Sequence, residues 1–578
     1  MILKALYDYY NRCDNLPAKG LEEKEIGFLL VLSPEGQFLR FEDCRTGKDH
    51  ARVYLVKKHV GRSSAAVANY LYDNSAYVLG YSEKSNGKEQ LYLDTFKAKV
   101  ESIGDAFPDN KDITAIRKFY SNSRDMIIEL VSQDVLWEDI KKNLSKKYST
   151  FSFRIEGDLK IVAEKKELLQ LEECNDKAEA DDICLVSGKH GPSVETTTAT
   201  MIPGSQAIAK LVSFQVNSGY DSYGKTKCGN APISEEAEFA YTTALNSMLQ
   251  KGSRNKFMLG TRTFVFWASN NNEASKETEE SLFDLLGFSE DTNDDPNANL
   301  MKVRKVFESI YSGTLETGLD DKFYILGLAP NSARIAVVYW SETTLKDFAE
   351  MILNHFRDME IQDTRKNKKP YMGLNAIISS VSLQGKIANA TPNLPEAVVK
   401  SIFQGLPYPI SLFQACIRRI RAEVALEKNG KKINPVNILR AAIIKAYLNR
   451  NSNNNKKIDI MLDKDNNNQG YLCGRLFAVL ENLQFAANGQ DSIRSSYMNA
   501  ASTTPSTVFS TILKLSNNHY GKLAKDKKGL ANFFDNQKKE IMAMLQEFPA
   551  TLELNDQGRF FLGYYHQKNY KENNNSEE

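Results

Sequence analysis

The sequence predicts an α+β protein, in which a mixed α/β N-terminal and central part is followed by an all-α C-terminal helical bundle. Three observations predict this fold class. A chain of 578 residues is too long for a single hydrophobic core. Short runs of β-branched and aromatic residues, such as "RTFVFWA", recur up to about residue 395. Beyond that point the apolar residues follow helical spacing.

These patterns predict three domains. Residues 1–170 are expected to form an N-terminal domain, residues 171–395 a central α/β domain, and residues 396–578 a C-terminal helical domain. The central domain contains an acidic insertion near 273–295, where nine acidic residues accompany one lysine, and we expect this insertion to be exposed. The last 118 residues, 461–578, are enough to bury a core of their own.

The N-terminal domain is predicted to begin with a helix at "ALYDYYNR". The stretch "EIGFLLVLSPEGQFLRFED" contains two strand-like runs around a Pro-Glu-Gly turn, which predicts a β-hairpin. A helix is then expected over "SAAVANYLYDNSAYVLGY", and Ser63 and Ser64 are candidate caps for its first turn.

The central domain is predicted to combine strands with one long helix. The helix is expected to start at Ser234, because Glu235 and Glu236 then meet the positive end of the helix dipole. The predicted strands are "ICLVSG", "KLVSFQV", "RTFVFWA", "KFYILGLAP" and "RIAVVYW".

Two basic amphipathic helices open the C-terminal domain. The first places Leu412, Cys416 and Ile420 on one face, and the second is expected to begin with Asn434 as N-cap and Pro435 in its first turn. The polar linker "NSNNNKKIDI" then precedes four amphipathic helices, which predict an antiparallel bundle. The aromatic "QGRFFLGYYHQ" that follows them is expected to pack on this bundle, although aromatic side chains can also stack on bases.

The composition indicates a cytoplasmic protein. No run of about 18 apolar residues is present, and the first residues lack the basic and apolar regions of a secretory signal. The seven cysteines are scattered, and no two stand as C-x-x-C, which argues against a disulfide framework and a structural zinc site. We therefore expect no membrane contact, no metal and no cofactor.

Positive charge is concentrated in one segment, although the net charge of the chain is only +1. Residues 400–460 carry twelve basic and three acidic residues, a net charge of +9. Such a run usually forms a solvated face, whereas a protein that binds nucleic acid alone is usually more basic overall.

The stretch "GYDSYGKT", residues 219–226, satisfies the phosphate-binding pattern G-x-x-x-x-G-K-[ST]. A functional loop of this kind needs a helix that starts at the Gly-Lys-Thr, because the N-terminal amides of that helix hold the phosphates. Here Pro232 precedes a helix that is expected only from Ser234, so a turn is the better interpretation of Lys225 and Thr226.

None of the six histidines is paired with another at metal-ligand spacing. His355 and Asp358 stand three apart on a predicted helix, which supplies one pair of ligands at most. Cys184 has His190 nearby in sequence, but a nucleophile and its base are defined by spatial contact. Packing or surface roles are therefore favoured for these residues.

A basic run precedes the predicted N-terminal-domain helix. Lys57, Lys58 and Arg62 come just before the expected helix start, where positive side chains and free amides suit a phosphate backbone. Asn69 and Asn74 can hydrogen-bond base edges, which in the minor groove report mainly groove width and a degenerate pattern. A capped surface helix with no ligand is the alternative interpretation.

Several long blocks, taken in order, carry a family resemblance: "VGRSSAAVANYLYDNSAYVLG", "CLVSG", "LVSFQVNSGYDSYGKTKCGNAPISEEAEFAYTTALNSML", "FYILGLAPNSARIAVVYW", "GLPYPISLFQACIRRIR", "YLCGRLFAVLENLQFAANG" and "LELNDQGRFFLGYYHQ". In these blocks the chain resembles the large subunit of the type I-C CRISPR Cascade surveillance complex. The resemblance covers nearly the whole length, and ordered blocks of this size are more specific than any short motif.

The resemblance implies a non-catalytic subunit at the end of the complex that holds the 5′ end of the guide RNA. Such a subunit recognises the PAM in double-stranded DNA, helps to unwind it, stabilises the R-loop and presents the target to a helicase–nuclease. The implied partners are the target DNA, the guide RNA, and the backbone, guide 5′-end and small subunits. Guide pairing reads the sequence, and the protein reads the PAM and the DNA backbone.

The resemblance also implies roles for particular residues. In families of this kind the same gene yields a small subunit by internal translation, and Met461, the only methionine between Met372 and Met498, is its predicted start. The PAM-side candidates are Lys57 and Lys58 as a wedge or phosphate clamp, with Arg62, Ser63, Asn69 and Asn74. The candidates for the displaced strand or the DNA backbone are Arg418, Arg419, Arg421, Arg440 and Lys445.

Two other classes of function remain alternatives. One is a phosphate-ester hydrolase, either an ATPase that uses Lys225 and Thr226 or a nuclease built around His355 and Asp358. The other is a purely structural scaffold subunit without DNA contact.

Overall fold

The computed structural model describes residues 2–13, 15–47, 49–60, 62, 66–83, 87–169, 182–200, 202–214, 221–250, 252–285, 296–318, 320–364, 373–428, 431–451, 457–489 and 492–570. The chain forms two compact units. The N-terminal unit comprises residues 13–195 and 222–243, and the C-terminal unit comprises residues 1–12, 196–221 and 244–578. The domain boundaries near residues 170 and 395 stay predictions.

The elements follow one another in this order. The first part of the chain forms α1 (Ile2–Arg12), β1 (Leu21–Ile26), β2 (Phe28–Leu32), β3 (Phe38–Asp43), β4 (Arg45–Gly47), β5 (His50–Lys57), β6 (Tyr72–Asp73), α2 (Ser75–Val78), α3 (Glu89–Ala106), α4 (Lys111–Tyr120), α5 (Arg124–Ser132), α6 (Trp137–Lys142), β7 (Phe151–Ile155) and α7 (Lys166–Leu169). The middle forms β8 (Asp182–Ile183), β9 (His190–Gly191), α8 (Glu235–Leu249), β10 (Lys256–Leu259), β11 (Arg262–Ala268), α9 (Glu273–Leu285), α10 (Pro296–Ser312), β12 (Lys322–Asn331), β13 (Arg334–Thr344), α11 (Leu345–Met359), α12 (Leu374–Val381) and α13 (Leu394–Phe403). The last part forms α14 (Ile410–Ala422), β14 (Glu427–Lys428), β15 (Lys431–Lys432), α15 (Ile438–Arg450), α16 (Gln469–Asn488), α17 (Ser492–Ala501), α18 (Pro505–Asp526), α19 (Lys528–Met544) and α20 (Leu554–Asn569).

The N-terminal unit is built on a mixed sheet in the order β3-β2-β7-β6. β2 pairs antiparallel with β3 and parallel with β7, so the predicted hairpin is confirmed. Every residue of β2 is buried, as expected for a central strand that is covered on both faces. A second sheet, β1-β5-β4, pairs Lys57 at the end of β5 with Leu21. This pairing fixes where the basic run begins.

The C-terminal unit contains the antiparallel sheet β10-β11-β12-β13, and three of its strands were predicted. One face packs on helices, as in the stacked contact of Phe323 with Phe348 of α11 at 4.5 Å between ring centroids. Alternation along β11 turns Trp267 to the opposite face, where it meets Tyr9 of α1 edge-on at 6.4 Å between ring centroids. The predicted helix at the start of the chain therefore covers this sheet.

The acidic segment near residues 273–295 is a helix where the structure describes it. In α9 the side chains of Ala274, Thr278 and Leu282 are fully buried, and Glu279 pairs with Arg12 and accepts the backbone N–H of Ala268. This half of the segment thus packs on the sheet instead of standing out in solvent, because its acids occupy one side of an amphipathic helix. Residues 286–295 lie outside the described residues.

Three further predictions about secondary structure are wrong. Of "ICLVSG" only Ile183 belongs to a strand, because the Cys184 sulfur accepts the N–H of Ser187 at 3.5 Å and the chain bends into a turn. "KLVSFQV" forms no strand over residues 211–214, and its last two residues are not described. α15 is capped by Asn437 instead of Asn434, since the Asn437 side chain accepts the N–H of Arg440.

The predicted α+β fold class is confirmed: the chain is helical from α16 to α20, after a two-residue-strand hairpin formed by β14 and β15. α16 is buried along most of its length and packs against α17–α20, so its expected amphipathic character is wrong. The aromatic segment is α20, and its rings lie in the core as predicted. No helix in the described ranges is long and apolar enough to cross a membrane.

α16 and α20 touch backbone to backbone at glycines. A Cβ placed on Gly474 would overlap the carbonyl oxygen of Phe560, and one on Gly563 would overlap the carbonyl oxygen of Tyr471. A Cβ on Gly470 would lie 2.6 Å from the carbonyl oxygen of Asp556, which is also too close. The spacing of Gly470 and Gly474 places both on one face of the helix, so the two axes approach more closely than larger side chains permit.

We predict that Gly474→Ala destabilises the C-terminal unit by about 3 kcal/mol or more, because the new methyl group meets rigid backbone. Gly521→Ala is the matched control, since Gly521 lies in α18 with nothing within 4 Å of its Cβ position. Replacing that helical glycine should stabilise the protein by about 0.5–1 kcal/mol. Denaturant unfolding of both variants checks the prediction, and equal midpoints would contradict it.

Candidate nucleic-acid interface

Strands β1 and β5 position the two lysines of the basic run in the N-terminal unit: Lys57 is the last residue of β5, and Lys58 follows it. The Lys57 ammonium lies over the Tyr70 ring at 5.1 Å, and the Lys58 ammonium lies over the Phe239 ring of α8 at 5.5 Å. The backbone N–H of Lys58 donates to the carbonyl oxygen of Gly20 at 2.7 Å. Both lysines are half-buried, because their stems pack on aromatic rings.

Glu22 of β1 organises the start of this segment. Its carboxylate accepts the Tyr72 hydroxyl at 3.0 Å and contacts His59 Nδ1 at 2.7 Å. Burial acts to raise the pKa of Glu22, but the hydrogen bond and charge of His59 outweigh it and leave that pKa lowered. Glu22 is therefore held as an anion beside the basic run.

The buried carboxylate of Asp73 organises the rest. Asp73 is 2% exposed, pairs with the Arg62 guanidinium, and accepts the backbone N–H of Asn69 at 2.9 Å. The Arg62 guanidinium also lies 4.0 Å from the centroid of the Tyr77 ring and donates to the carbonyl oxygen of Val67. Arg62 is thus engaged on three sides, and only part of its side chain faces solvent.

The helix expected directly after this basic run is wrong for residues 66–71, which form neither helix nor strand. The Asn69 side chain is buried and accepts the N–H of Val60 at 2.9 Å, while exposed Asn74 caps α2 by accepting the N–H of Ala76. Side-chain bonds to backbone N–H groups compete with helix formation, which explains the irregular path. Ser63 lies outside the described residues.

Several cations in the basic segment of the C-terminal unit lie inside the fold. Arg440 is 5% exposed, pairs with Glu423 at 2.5 Å and donates to the carbonyl oxygens of Ser380 and Pro435. Lys445 is 3% exposed and burial lowers its pKa. Neither side chain is accessible to a nucleic-acid strand in this conformation, which corrects the expectation that both line a strand path.

The three arginines of α14 differ from one another. Arg419 pairs with Glu423 at 2.5 Å, one turn further along the helix. Arg421 donates to the Gln557 side chain at 2.8 Å, and burial lowers its pKa. Arg418 is exposed. Of the five cations predicted to follow the displaced strand, Arg418 is therefore the one that solvent reaches most freely.

The residues proposed for hydrolysis do not form a reactive site. His355 is fully buried and its Nδ1 lies 2.7 Å from the Tyr408 hydroxyl, while Asp358 pairs with Arg450. After Thr226 the chain forms a 3₁₀ turn, and α8 begins only at Glu235, so the predicted misplacement of the phosphate-loop helix is confirmed. Gly219 is not described.

Cys184 and the buried histidines have shifted pKa values. Burial acts to raise the pKa of the Cys184 thiol, but hydrogen bonds from Ser187 and Ser234 lower it to about 7. Burial lowers the pKa of His355 to about 3, and it does the same for His566, whose Nδ1 lies 2.9 Å from the Tyr471 hydroxyl. Both histidines are therefore neutral parts of the core.

The sequence analysis did not identify Glu423 and Asp73, the two acidic residues that pair with the predicted DNA-binding arginines. The pairing of Arg419 with Glu423 could have been predicted from the sequence, because side chains four residues apart on a helix are neighbours. Nothing in the sequence places Arg440 beside Glu423, and only its position among the apolar residues of "NYLYDNSAYVLG" distinguishes Asp73.

A family model described as CRISPR-associated protein (Cas_Csd1) matches residues 6–570. The chain belongs to the Csd1 family of CRISPR-associated proteins. Csd1 is the large subunit of type I-C systems, so the family resemblance found in the sequence is confirmed. No curated protein matches this Csd1 chain.

The two buried histidines predict how stability depends on pH. An unfolded histidine has a pKa of about 6.5, so below that pH the unfolded chain binds protons that folded His355 and His566 do not bind. The free energy of unfolding should therefore fall as the pH drops from about 6.5 towards 3, by up to about 1.4 kcal/mol per pH unit for each histidine.

Replacing His355 by glutamine should remove its share of this pH dependence, a slope that grows to nearly one proton as the pH falls from about 7.5 to 5. Exposed His190, replaced by glutamine, is the control. Denaturant midpoints across that range check the slope. A wild-type slope retained in His355→Gln would contradict the assignment.

Proposed function

We propose that this chain is the non-catalytic large subunit of a type I-C Cascade surveillance complex. In this proposal it recognises the PAM in double-stranded DNA, helps to unwind it, stabilises the R-loop and presents the target to the helicase–nuclease. The observation that carries the proposal is the family match over residues 6–570. Its partners would be the guide RNA and the backbone, guide 5′-end and small subunits, with the helicase–nuclease recruited after R-loop formation.

The N-terminal unit supplies the proposed PAM-side contacts. Lys57 and Lys58 are the proposed wedge or phosphate clamp, because their charges are carried on stems supported by aromatic rings. Asn74 is the better candidate for a groove contact, since it is exposed, whereas Asn69 and Arg62 are engaged in holding the loop. These two act in the proposal by fixing the shape of the segment.

On the displaced strand the proposal depends on Arg418. Its exposure and position on α14 suit a backbone contact, while Arg419, Arg421, Arg440 and Lys445 hold the fold around it. A single backbone contact adds to salt dependence and carries no sequence information.

The clamp is tested by replacing Lys57 and Lys58 together with alanine in the reconstituted complex. We expect target-duplex binding to weaken roughly tenfold and the slope of log K against log salt to fall by about two, because each lysine neutralises one phosphate. Exposed Lys142 of α6, replaced by alanine, is the matched control in the same unit.

Asn74→Ala should in addition reduce discrimination between PAM variants. Unchanged binding of every PAM variant by both mutants would favour the scaffold alternative. Turnover of ATP, or magnesium-dependent cleavage of DNA, that is lost on changing Lys225 or Asp358 would favour the hydrolase alternative.

Internal translation from Met461 is the second part of the proposal. The segment that starts there contains α16–α20 with their glycine contact, and Arg475 ties its leading residues to the bundle by donating to the carbonyl oxygen of Lys464 at 3.2 Å. Met461→Ile should abolish a 118-residue product in expressing cells while the full chain persists. A blot with an antibody against α20 detects both, and persistence of the small product would refute this start site.

A further inference from the structure

One tyrosine of the N-terminal unit stands almost wholly in solvent. Tyr223 is 95% exposed, in a loop of residues 221–230 that we call the Tyr223 loop. An aromatic side chain offers a large apolar surface, and leaving it in water forgoes the free energy of burial. Leu159 and Val135 are comparably exposed in the same unit, so exposure alone does not distinguish Tyr223.

The backbone of Tyr223 does distinguish it. Its φ of 59° and ψ of 29° lie in the left-handed region, and Gly224 continues that conformation with a φ of 70°. A residue with a Cβ is uncommon there, and strained residues of this kind cluster at binding sites. Lys227 adds a second positive φ of 50° in the same loop.

Hydrogen bonds within the segment hold the Tyr223 loop in this shape. The Asn230 side chain donates to the carbonyl oxygen of Ser222 at 2.9 Å, and the N–H of Lys225 donates to the same oxygen at 3.2 Å. At the base of the loop, buried Cys228 donates to the carbonyl oxygen of Ala231 and accepts the N–H of Ile233. The ring is therefore presented on a prepared backbone, which reduces the entropy lost on binding.

Two lysines follow Tyr223 within four residues of the chain. Lys225 is exposed, and no carboxylate among the residues that the structure describes pairs with it. Lys227 pairs with Glu195. Two residues beyond a stacking ring, the Lys225 ammonium is within reach of the phosphate of a stacked nucleotide.

We propose that the Tyr223 loop is a nucleobase-binding site, in which the Tyr223 ring stacks on an unpaired base and Lys225 contacts its phosphate. This inference rests on the proposed function and deepens it. Four residues separate the loop from α8, whose Phe239 lies under the Lys58 ammonium, so the Tyr223 loop is joined along the chain to a helix that contacts one of the PAM-side lysines. Duplex opening next to a PAM supplies unpaired bases.

Binding of the full chain to single strands tests the site. The probes are a fluorescein-labelled oligodeoxythymidine of about 16 nucleotides and the matching oligouridine, followed by fluorescence anisotropy. We expect Tyr223→Ala to weaken binding roughly 5- to 100-fold, and Tyr223→Phe to bind as the wild type does. Tyr223→Gly should lose binding equally while relieving the backbone strain, which separates the ring from the loop shape.

Two further variants sharpen the test. Lys225→Ala should lower the salt slope by about one between about 50 and 200 mM salt, whereas Tyr223→Ala should leave that slope unchanged. Leu159→Ala, which removes an equally exposed apolar side chain from the same unit, is the control and should bind normally. A 2-aminopurine in the strand should be quenched by the wild type and by Tyr223→Phe, but not by Tyr223→Ala. Tighter binding of the deoxy strand assigns the base to DNA, and tighter binding of the ribo strand assigns it to the guide.

Wild-type affinity in Tyr223→Ala, or no binding of either probe by the wild type, would overturn the inference. Loss of association with partner subunits at unchanged oligonucleotide affinity would also overturn it and make the loop a protein contact. The proposed function is decided separately, by duplex-target binding of the Lys57 and Lys58 double variant.

Discussion

The C-terminal unit depends on the contact in which α16 and α20 meet backbone to backbone. Glycines make this approach possible, and the opposite side of α20 then continues the same core: a Cβ on Gly558 would meet the Phe413 ring of α14, and the Tyr565 hydroxyl donates to the carbonyl oxygen of Gln362 at 2.8 Å. The end of the chain is thus a bundle and part of a larger core at once. A free copy beginning at Met461 would keep the glycine contact and uncover this side of α20. Apolar surface of that kind is stable in an assembly, where a neighbour covers it.

Buried ion pairs also hold the fold together. In the C-terminal unit the fully buried Glu481 accepts the Tyr564 hydroxyl at 2.6 Å and pairs with Arg494 and Lys568, and Glu423 joins α14 to α15 through its two arginines. Removing one partner from such a set leaves an uncompensated charge in the interior, which is far more costly than losing a surface pair. Five of the twelve cations in the +9 segment are therefore structural, namely Arg419, Arg421, Arg440, Lys445 and Arg450. The net charge of the segment thus overstates what a nucleic acid would meet.

The N-terminal unit uses its acids in a similar way but leaves other groups for a ligand. Glu22 and Asp73 fix the segment that carries Lys57 and Lys58, and hydrogen bonds of the Cys228 sulfur and the Asn230 amide fix the Tyr223 loop. A DNA duplex that is being opened offers phosphates along its backbone and bases that have lost their stacking partners. Ammonium groups on supported stems suit the first, and a rigidly presented ring suits the second. The lysine clamp and the Tyr223 loop are both consistent with a role in duplex opening, and the experiments test each of them separately.

The sequence by itself determined the fold class, the hairpin of β2 and β3, the strands β11–β13, the aromatic core of α20 and the family. These depend on local periodicity, turn chemistry and long ordered blocks, which are properties of neighbouring residues. Tertiary structure alone decided which charges are buried, why residues 66–71 are not helical, and that Tyr223 faces solvent. The partners involved are far apart in the chain or compete with helix formation through side-chain hydrogen bonds. Spacing in the sequence carries no record of such contacts, because their free energy depends on burial that only the packed chain creates.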